Sequence, residues 1–333
     1  MDRVLSGMRP TDRLHLGNYF GALANWKKFQ EDIGKHYDQC FFMIVDWHAL
    51  TTDYESTERL KDNINQVALD FFSAGLDPEK SVIFIQSQVK EHAELHLLLS
   101  MITPLGWLER NPTYKEQLQE LKNKDIHTHG FLGYPVLQAA DILTYKATTV
   151  PVGQDQLPHL ELCRELVRRF NFLYKREVFP EPQSAMTSAP KVPGTDGRKM
   201  SKSYGNSIYI SDQEDILKKK IMNAMTDPAR KRRTDKGDPD ICTVYAYHQL
   251  FSSTSEQTVV AHECREALRG CTDCKMHLFM NANRILDPIR NKRKELESKP
   301  EVMEEFLEEG AKKARAFAQK TLCEVRDVMG LPS

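Results

Sequence analysis

The sequence predicts an α/β protein with a parallel sheet, followed by an all-helical C-terminal domain. In the first half, short continuous apolar runs alternate with segments whose apolar residues recur at helical spacing. Residues 179–198 are rich in Pro, Ser, Thr and Gly and predict a long loop. Beyond about residue 211 the helical patterns dominate. Together these observations place a domain boundary between residues 205 and 212.

Each element of the first half follows from its own pattern. Apolar runs predict strands at 4–6, 40–45, 81–86 and 148–152. Apolar residues at i, i+3, i+4 and i+7 predict helices at 18–33, 60–72 and 156–169. Strands that alternate with helices form parallel sheets through right-handed crossovers, and their ligands bind at the carboxyl ends of the strands.

Composition and charge narrow the class of protein. The 333 residues include 46 Lys and Arg and 47 Asp and Glu, so the net charge of −1 gives no sign of nucleic-acid binding. The basic run 230–233 predicts either a solvated loop, which is the commoner case, or a local contact with a polyanion. No apolar stretch reaches membrane-spanning length, and the first residues carry no signal core. We therefore expect a cytoplasmic protein without a disulfide framework, although it has seven cysteines.

The first of two chemical motifs is GMRPTDRLHLGNYFGAL, residues 7–23. It places His15 and Gly17 at the start of a helix, where free backbone N–H groups and the positive end of the dipole favour a phosphate. His15 can donate to a phosphate oxygen, and Gly17 lets a flat base approach the backbone.

The second motif is GRKMSKSYGN, residues 197–206, at the end of the predicted loop. Lys199 and Lys202 alternate with two serines, Ser201 and Ser203, and these four side chains can wrap a triphosphate. Each motif alone is weak evidence, because a helix start and a basic loop are common. The two together, at either end of an α/β domain, are specific.

This pair of motifs resembles the class I aminoacyl-tRNA synthetases. HLGN looks like a variant of their HIGH motif, and residues 199–203 match KMSKS letter for letter. The stretches VLSGMRP, DWHALTT, GYPVLQAADIL, VPVGQDQLPHLELCRELVRRFN and AQKTLCEVRDVMG are similar to bacterial tryptophanyl-tRNA synthetases along nearly the whole chain. The resemblance implies a Rossmann-like catalytic domain, residues 1–207. It would form tryptophanyl-adenylate and pyrophosphate from L-tryptophan and ATP, and would then transfer the tryptophanyl group to tRNA(Trp).

The resemblance also implies the residues of the ATP site. Carboxylate attack on a phosphate needs alignment and charge stabilisation rather than an enzyme nucleophile, and four residues would supply these: His15, Asn18, Lys199 and Lys202. The whole predicted ATP site comprises Arg9, Pro10, Thr11, Gly17, Asn18, Gly153, Gln154, Asp155, Val192, Lys199, Met200, Ser201, Lys202 and Ser203. Mg2+ would accompany the triphosphate, although the sequence shows no dedicated carboxylate cage.

Asp141, in AADIL, matches the family's reader of the indole N–H, a group that only donates. The predicted tryptophan site comprises Leu5, Gly7, Tyr134, Gln138, Asp141, Val150, Val152 and Gln156. For Val150 and Val152, plain core packing is an equally good interpretation. Four positions depart from common family forms and concern ATP contact and pocket shape: Arg9, Asp12, Asn18 and Gln138.

Four cysteines have the spacing Cys-x21-Cys-x6-Cys-x2-Cys: Cys242, Cys264, Cys271 and Cys274. Four thiolates suit a structural zinc ion or an iron–sulfur cluster, but only one Cys-x-x-Cys pair is present. A subset of the synthetases that the chain resembles carries a 4Fe–4S cluster at nearly this spacing. The resemblance therefore favours the cluster, with Zn2+ as the alternative. We expect the other three, Cys40, Cys163 and Cys323, to be buried apolar thiols.

The resemblance assigns roles to the remaining segments. Residues 208–333 would bind the tRNA anticodon, with the cluster holding helices that present basic residues to the tRNA. A segment inserted at about residues 90–135 would form the interface of a homodimer. Two alternatives stay open, a tyrosyl-tRNA synthetase and a non-catalytic, metal-bearing RNA-binding protein on the same fold. The first is open because a tyrosine phenol could also donate to Asp141.

Overall fold

Five parallel strands form one sheet. The computed structural model describes residues 2–120, 126–186 and 192–332. The strands are β1 (Arg3–Met8), β2 (Gln39–Ile44), β3 (Val82–Ile85), β4 (Thr149–Val152) and β5 (Gln183–Met186). They are arranged in the order β3-β2-β1-β4-β5, and every pairing is parallel. The order reverses at β1, which is the switch point where Rossmann-like sheets bind ligands.

Nine helices of the described residues precede β5 in the chain. They are α1 (Leu16–Asn18), α2 (Ala24–Glu31), α3 (Asp46–Asp53), α4 (Leu60–Ser73), α5 (Glu91–Ile102), α6 (Leu105–Glu109), α7 (Pro112–Glu120), α8 (His129–Thr144) and α9 (Leu157–Tyr174). A π-helical segment, Tyr19–Leu23, joins α1 to α2, so the helix predicted at 18–33 is one continuous but irregular element.

In the described part of the C-terminal region, every element longer than a single turn is an α-helix. They are α10 (Glu214–Asn223), α11 (Thr243–Phe251), α12 (Thr254–Arg265), α13 (Cys271–Glu297) and α14 (Pro300–Met329). This confirms the predicted α/β sheet followed by a helical region. The loop prediction for 179–198 is wrong in part, because β5 lies inside it. A four-residue strand paired only with β4 leaves too short a pattern to recognise.

The apolar cores run across the predicted boundary near residue 207. One core joins Phe42 of β2 and Trp26 of α2 to Leu278 and Leu286 of α13. The second core includes Phe41 together with residues of α14, whose Phe317 ring meets Phe41 edge-on at 5.2 Å. The helical region is therefore packed against both faces of the sheet, and its description as a separate domain stays a prediction.

A buried ion pair also links the two regions. The Asp70 carboxylate on α4 accepts a hydrogen bond from Arg293 of α13, and its other oxygen accepts from the Leu14 backbone N–H at 2.6 Å. Both charged side chains are buried. Removal of either partner would leave a charge in the core, which is costly. Helix α13 is thereby connected to the loop that precedes His15.

Two smaller expectations can be compared with the structure. Cys40 and Cys163 are buried as expected, but the expectation is wrong for Cys323, which is exposed on α14. It lies on the solvent side of an amphipathic helix that turns its other face to the sheet.

Among the described residues, every helix is too short or too polar to cross a membrane.

Candidate active site

A cavity of about 360 Å³ opens at the carboxyl ends of β1, β2 and β4. All eight residues of the predicted tryptophan site line it: Leu5, Gly7, Tyr134, Gln138, Asp141, Val150, Val152 and Gln156. Arg9 and Gly153, which belong to the predicted ATP site, line the same cavity. The sheet topology thus brings together residues from β1, α8 and β4 that lie more than a hundred positions apart.

Asp141 is the buried anion of this cavity. Its carboxylate accepts from Gln86 Nε2 at 2.9 Å, from His48 Nε2 at 2.9 Å and from His92 Nδ1 at 2.6 Å. Burial raises the pKa of this group, but the hydrogen bonds and charge of the two histidines outweigh burial and hold it at about 2. Asp141 is therefore an ionised acceptor at neutral pH, and these donors fix its orientation.

The three donors around Asp141 are functional candidates that the sequence reasoning missed. Gln86 follows directly after β3, and its Oε1 accepts from the Trp47 backbone N–H, which fixes the amide orientation. On the other side of the ring, His92 Nε2 lies 2.7 Å from the Tyr145 hydroxyl and is hydrogen-bonded to it. A signal was present, because Gln86 ends a strand pattern and His48 lies in the stretch DWHALTT. Their convergence on Asp141 depends on tertiary packing.

Tyr134 is held by a second buried histidine. The Tyr134 hydroxyl lies 2.7 Å from His159 Nε2, and Asn111 Nδ2 donates to His159 Nδ1 at 3.3 Å. Because Asn111 Oδ1 accepts from the Thr113 backbone, the amide orientation assigns the imidazole proton to Nε2. Burial lowers the pKa of His159 to about 4, so the ring is neutral at physiological pH.

His15 begins the first helix and caps it. Its Nδ1 accepts from the Asn18 backbone N–H at 3.3 Å, while Asn18 Oδ1 accepts from the His15 backbone N–H at 3.2 Å. Burial, with a contribution from the Lys202 charge, lowers the pKa of His15 to about 4. A neutral ring that accepts at Nδ1 carries its proton on Nε2, so His15 can donate to an oxygen of a ligand.

Two backbone features hold the His15 loop, residues 9–18, in place. A Cβ at Gly17 would lie 2.9 Å from His15 Cε1, so only glycine leaves the imidazole where it is. Asp12 adopts φ 109°, a conformation that favours glycine. The chain holds this conformation although residue 12 carries a side chain.

The KMSKS segment closes directly onto the His15 loop. Lys202 Nζ donates to the Thr11 carbonyl at 2.9 Å. Burial lowers the pKa of Lys202 to about 8, although the neighbouring Asp12 carboxylate partly opposes this. The structure therefore brings together Thr11 and Lys202, which were predicted to bind ATP, and His15, which was predicted to be catalytic, although Lys202 is far from the other two in the chain.

Asn206 organises the KMSKS segment from its far end. Its Nδ2 donates to Asp196 Oδ1 at 2.7 Å and its Oδ1 accepts from the Ser201 backbone N–H at 2.8 Å. A Cβ at Gly194 would lie 2.1 Å from Asn206 Nδ2, so glycine is needed for this packing. Asn206 is the last residue of the GRKMSKSYGN motif, and the sequence predicted no role for it.

The remaining predicted ATP residues lie at the edges of the site. Arg9 donates to the Thr52 hydroxyl and to Asp53 of α3, and Gly153 to Asp155 follow β4. The side chains of Met200 and Val192 are buried in the core, so only their backbone atoms can face a nucleotide. Ser201 is partly buried, and the side chain of Ser203 lies outside what the structure describes.

The four cysteines of the predicted cluster converge in the helical region. Cys242 precedes α11, Cys264 lies in α12, and Cys271 and Cys274 lie in the first turn of α13. Burial, and then the charges of the other three thiols, raise the pKa of Cys274 to about 12. Within the described ranges, however, no three Cys, His, Asp or Glu side chains already stand together as ligands of a metal ion.

One cation, Arg230, contacts the group of four cysteines at Cys264. Arg230 Nη1 lies 3.7 Å from Cys264 Sγ, and Arg230 Nη2 donates to the Arg269 carbonyl at 2.6 Å. Arg230 is therefore turned inward and ties the loop of basic residues to the cysteines. The next three residues of that run, Lys231, Arg232 and Arg233, are exposed.

Comparisons with known proteins agree with this geometry. Residues 2–287 match the family model of tRNA synthetases class I (W and Y). The tryptophan–tRNA ligase of Thermotoga maritima is 53% identical over 330 residues, 99% of each protein. The corresponding ligase of Aquifex aeolicus is 45% identical over an alignment of 400 residues that covers 99% of this chain and all of that protein.

A solved structure is similarly close. The tryptophanyl-tRNA synthetase of Campylobacter jejuni, crystallised with ADP and tryptophan, superposes with a TM-score of 0.88 at 38% identity and covers 99% of this chain and 100% of that one. The match extends over the sheet, the cavity and the helical region alike. The chain therefore belongs to the class I tRNA synthetases of the tryptophan and tyrosine group.

Proposed function

We propose that this protein activates L-tryptophan with ATP and transfers it to tRNA(Trp). The observation that carries the proposal is the buried, ionised Asp141 in a cavity of mixed apolar and polar lining, next to the His15 loop that Lys202 contacts. The cavity offers apolar area for an indole ring and an acceptor for its N–H. Full-length relatives that are tryptophan–tRNA ligases support the same assignment. This activity belongs in the cytoplasm, where tRNA is aminoacylated.

The chemistry needs positioning and charge stabilisation. The tryptophan carboxylate attacks the α-phosphorus, the bond to the β,γ-bridge breaks, and pyrophosphate leaves with its electron pair. His15 Nε2–H and the Lys202 ammonium would donate to phosphate oxygens as charge moves toward the leaving group. Lys199 would contribute a second ammonium from the same segment. Mg2+ enters with ATP as part of the substrate.

Selectivity for tryptophan would depend on the Asp141 network. The indole N–H would add a further donor to a carboxylate that Gln86, His48 and His92 already orient, and a ligand without a donor would forgo that charge-assisted hydrogen bond, a loss of about 1.5–3 kcal/mol. A tyrosine phenol also offers a donor, so a tyrosine enzyme is the second candidate. Relatives that are 41%, 45% and 53% identical are tryptophan–tRNA ligases, which disfavours this second candidate.

The test is ATP–pyrophosphate exchange with each amino acid, followed by aminoacylation of a tRNA(Trp) transcript. We expect exchange with tryptophan and at least about 100-fold less with tyrosine. Exchange with tyrosine alone would favour the second candidate. Absence of exchange with both, in a folded protein, would favour a non-catalytic RNA-binding role.

We also propose that the four cysteines hold a 4Fe–4S cluster, with Zn2+ as the alternative. Their convergence and the nearby guanidinium of Arg230 suit an anionic tetrathiolate group. When bound, the group would supply covalent cross-links between α11, α12 and α13. Through Arg230, those links would set the position of the exposed basic loop 231–233, which would contact tRNA.

The cluster is tested by iron and sulfide content and by the visible spectrum of protein purified without air. About four irons and four sulfides per chain are expected, with brown colour. Cys271→Ser with Cys274→Ser should abolish both, whereas Cys323→Ser, at an exposed thiol outside the group, should retain both. A colourless protein with one zinc per chain would decide for the alternative.

A further inference from the structure

A second polar cavity of about 400 Å³ lies between the His15 loop, α4, residues 211–213 and α13. It shares no lining residue with the tryptophan cavity. Asp12 and Arg13 form one wall and Arg290 and Lys294 of α13 form another. The cavity therefore sits at the joint between the catalytic loop and the helical region.

Two buried donors that line this cavity have no partner among the described residues. The Arg290 side chain is 3% exposed, and its Nη2 donates to Asn283 and Asp287, but Nη1 has no acceptor. Ser211 is 6% exposed, and its hydroxyl also has none. A buried polar group without a partner costs about 1–3 kcal/mol, so such groups usually mark a ligand or bound water.

The free charges of the cavity favour an anion. Arg293 is already bonded to Asp70 and to Glu297. Arg290 is likewise paired with Asp287. The other cations that line the cavity are Arg13, Arg59 and Lys294, and they face two carboxylates, Asp12 and Asp62. The cavity is therefore positive, and its guanidinium groups match the paired oxygens of a phosphate.

We propose that this cavity binds a phosphate group. Arg290 Nη1 and the Ser211 hydroxyl donate to its oxygens, and Lys294 supplies charge at the mouth. Such a ligand contacts the wall formed by Asp12 and Arg13, which lie three and two residues before His15. It therefore joins α13 to the His15 loop. The phosphate comes either from a free phosphate ion or from the backbone of a bound nucleic acid, because both present the same tetrahedral oxyanion.

The first arm of the test titrates inorganic phosphate into the full-length protein by calorimetry. Ser211→Ala and Lys294→Gln should each weaken binding at least about five-fold, through loss of a hydrogen bond or a charge. Ser207→Ala is the control for the first, since Ser207 is also buried with an unpartnered hydroxyl but lies outside the cavity. Lys292→Gln, two residues along α13, is the control for the second.

The second arm measures tRNA affinity against salt concentration. If the phosphate belongs to nucleic acid, Lys294→Gln should reduce the salt slope by about 0.7–0.9, Ser211→Ala should weaken binding, and both controls should leave tRNA binding unchanged. The proposal is overturned if neither arm separates the cavity variants from their controls. The phosphate titration involves no tryptophan, ATP or tRNA, so its failure is distinguishable from failure of the aminoacylation proposal.

Discussion

Burial determines the charge of individual side chains around the active site. It lowers the pKa of His15 and of His159 to about 4, and that of Lys202 to about 8. The Asp141 carboxylate stays ionised because its histidine donors outweigh burial. Asp141 is therefore a fixed anion, the His15 and His159 rings are neutral at physiological pH, and Lys202 of the KMSKS segment titrates near pH 8.

The pKa of Lys202 predicts how ATP affinity depends on pH. A base with a depressed pKa loses its charge as the pH rises past about 8, while an ordinary lysine stays charged to above 10. We expect ATP affinity of the free protein to fall between pH 8 and 9. In Lys202→Arg the guanidinium stays charged, so the fall should disappear from that window. Equal pH profiles for the two proteins would contradict this role.

His159 predicts a pH-dependent stability. The unfolded histidine binds a proton below about pH 6.5, whereas the buried ring resists protonation until about pH 4. Acidification from 6.5 to 4 therefore favours the unfolded state, by up to about 3 kcal/mol from this residue. Urea unfolding across that range should show a smaller loss for His159→Gln than for the parent. A loss of the same size in both would show that His159 does not titrate in this way.

Helix α14 depends on one glycine for its position on the sheet. A Cβ at Gly310 would lie 1.8 Å from the Ile83 carbonyl oxygen of β3, so the helix backbone rests directly on the strand. The amphipathic pattern of α14 predicts a buried face, but only the packing shows how close that face approaches.

Gly310→Ala should therefore destabilise the protein, by about 1–3 kcal/mol, despite the better helix propensity of alanine. The overlap is with backbone, so relief requires a shift of the whole helix. Gly130→Ala is the matched control, because its nearest neighbour is the Thr128 hydroxyl at 3.9 Å. Urea unfolding of both variants is the measurement, and equal stability of the two would refute the packing argument.

An exposed apolar surface predicts how two copies of the chain associate. Met101 and Leu105, of α5 and α6, are 67% and 59% exposed, and Phe172 of α9 is 80% exposed. Arg169 of α9 donates to the Ile102 carbonyl, so these elements are adjacent. We propose that this surface, which lies inside and beside the predicted 90–135 segment, is the interface of a homodimer. Residues 121–125 of that segment lie outside the described residues. Large apolar side chains grouped in this way usually mark an interface.

Met101→Lys combined with Phe172→Lys should shift the protein from dimer to monomer in analytical ultracentrifugation, because two charges would be buried in the interface. Met280→Lys, at another exposed methionine on α13, is the control and should leave the dimer unchanged. A parent protein that sediments as a monomer at micromolar concentration would contradict the proposed interface.

Sequence patterns anticipated most of the sheet, and the eight residues that the resemblance assigned to tryptophan line one cavity, although their role stays a prediction. The strands 40–45 and 81–86 were recognisable because a strand buried on both faces is a continuous apolar run. Strand β5 was missed because four residues beside a polar loop carry no such run. Gln86, His48 and His92 were missed for a different reason: their role exists only in contact with Asp141, from 93 to 49 positions away in the chain.

The sequence by itself determined the class of fold and the chemical motifs, HLGN and KMSKS, because periodicity and short contiguous motifs are local properties of the chain. Tertiary structure alone decided which groups meet. It brought Lys202 to the Thr11 carbonyl, paired Arg293 with Asp70, and placed Arg290 and Ser211 in the lining of one cavity. It also decided the charge states, since a pKa depends on burial and on neighbours brought together by packing across the whole chain.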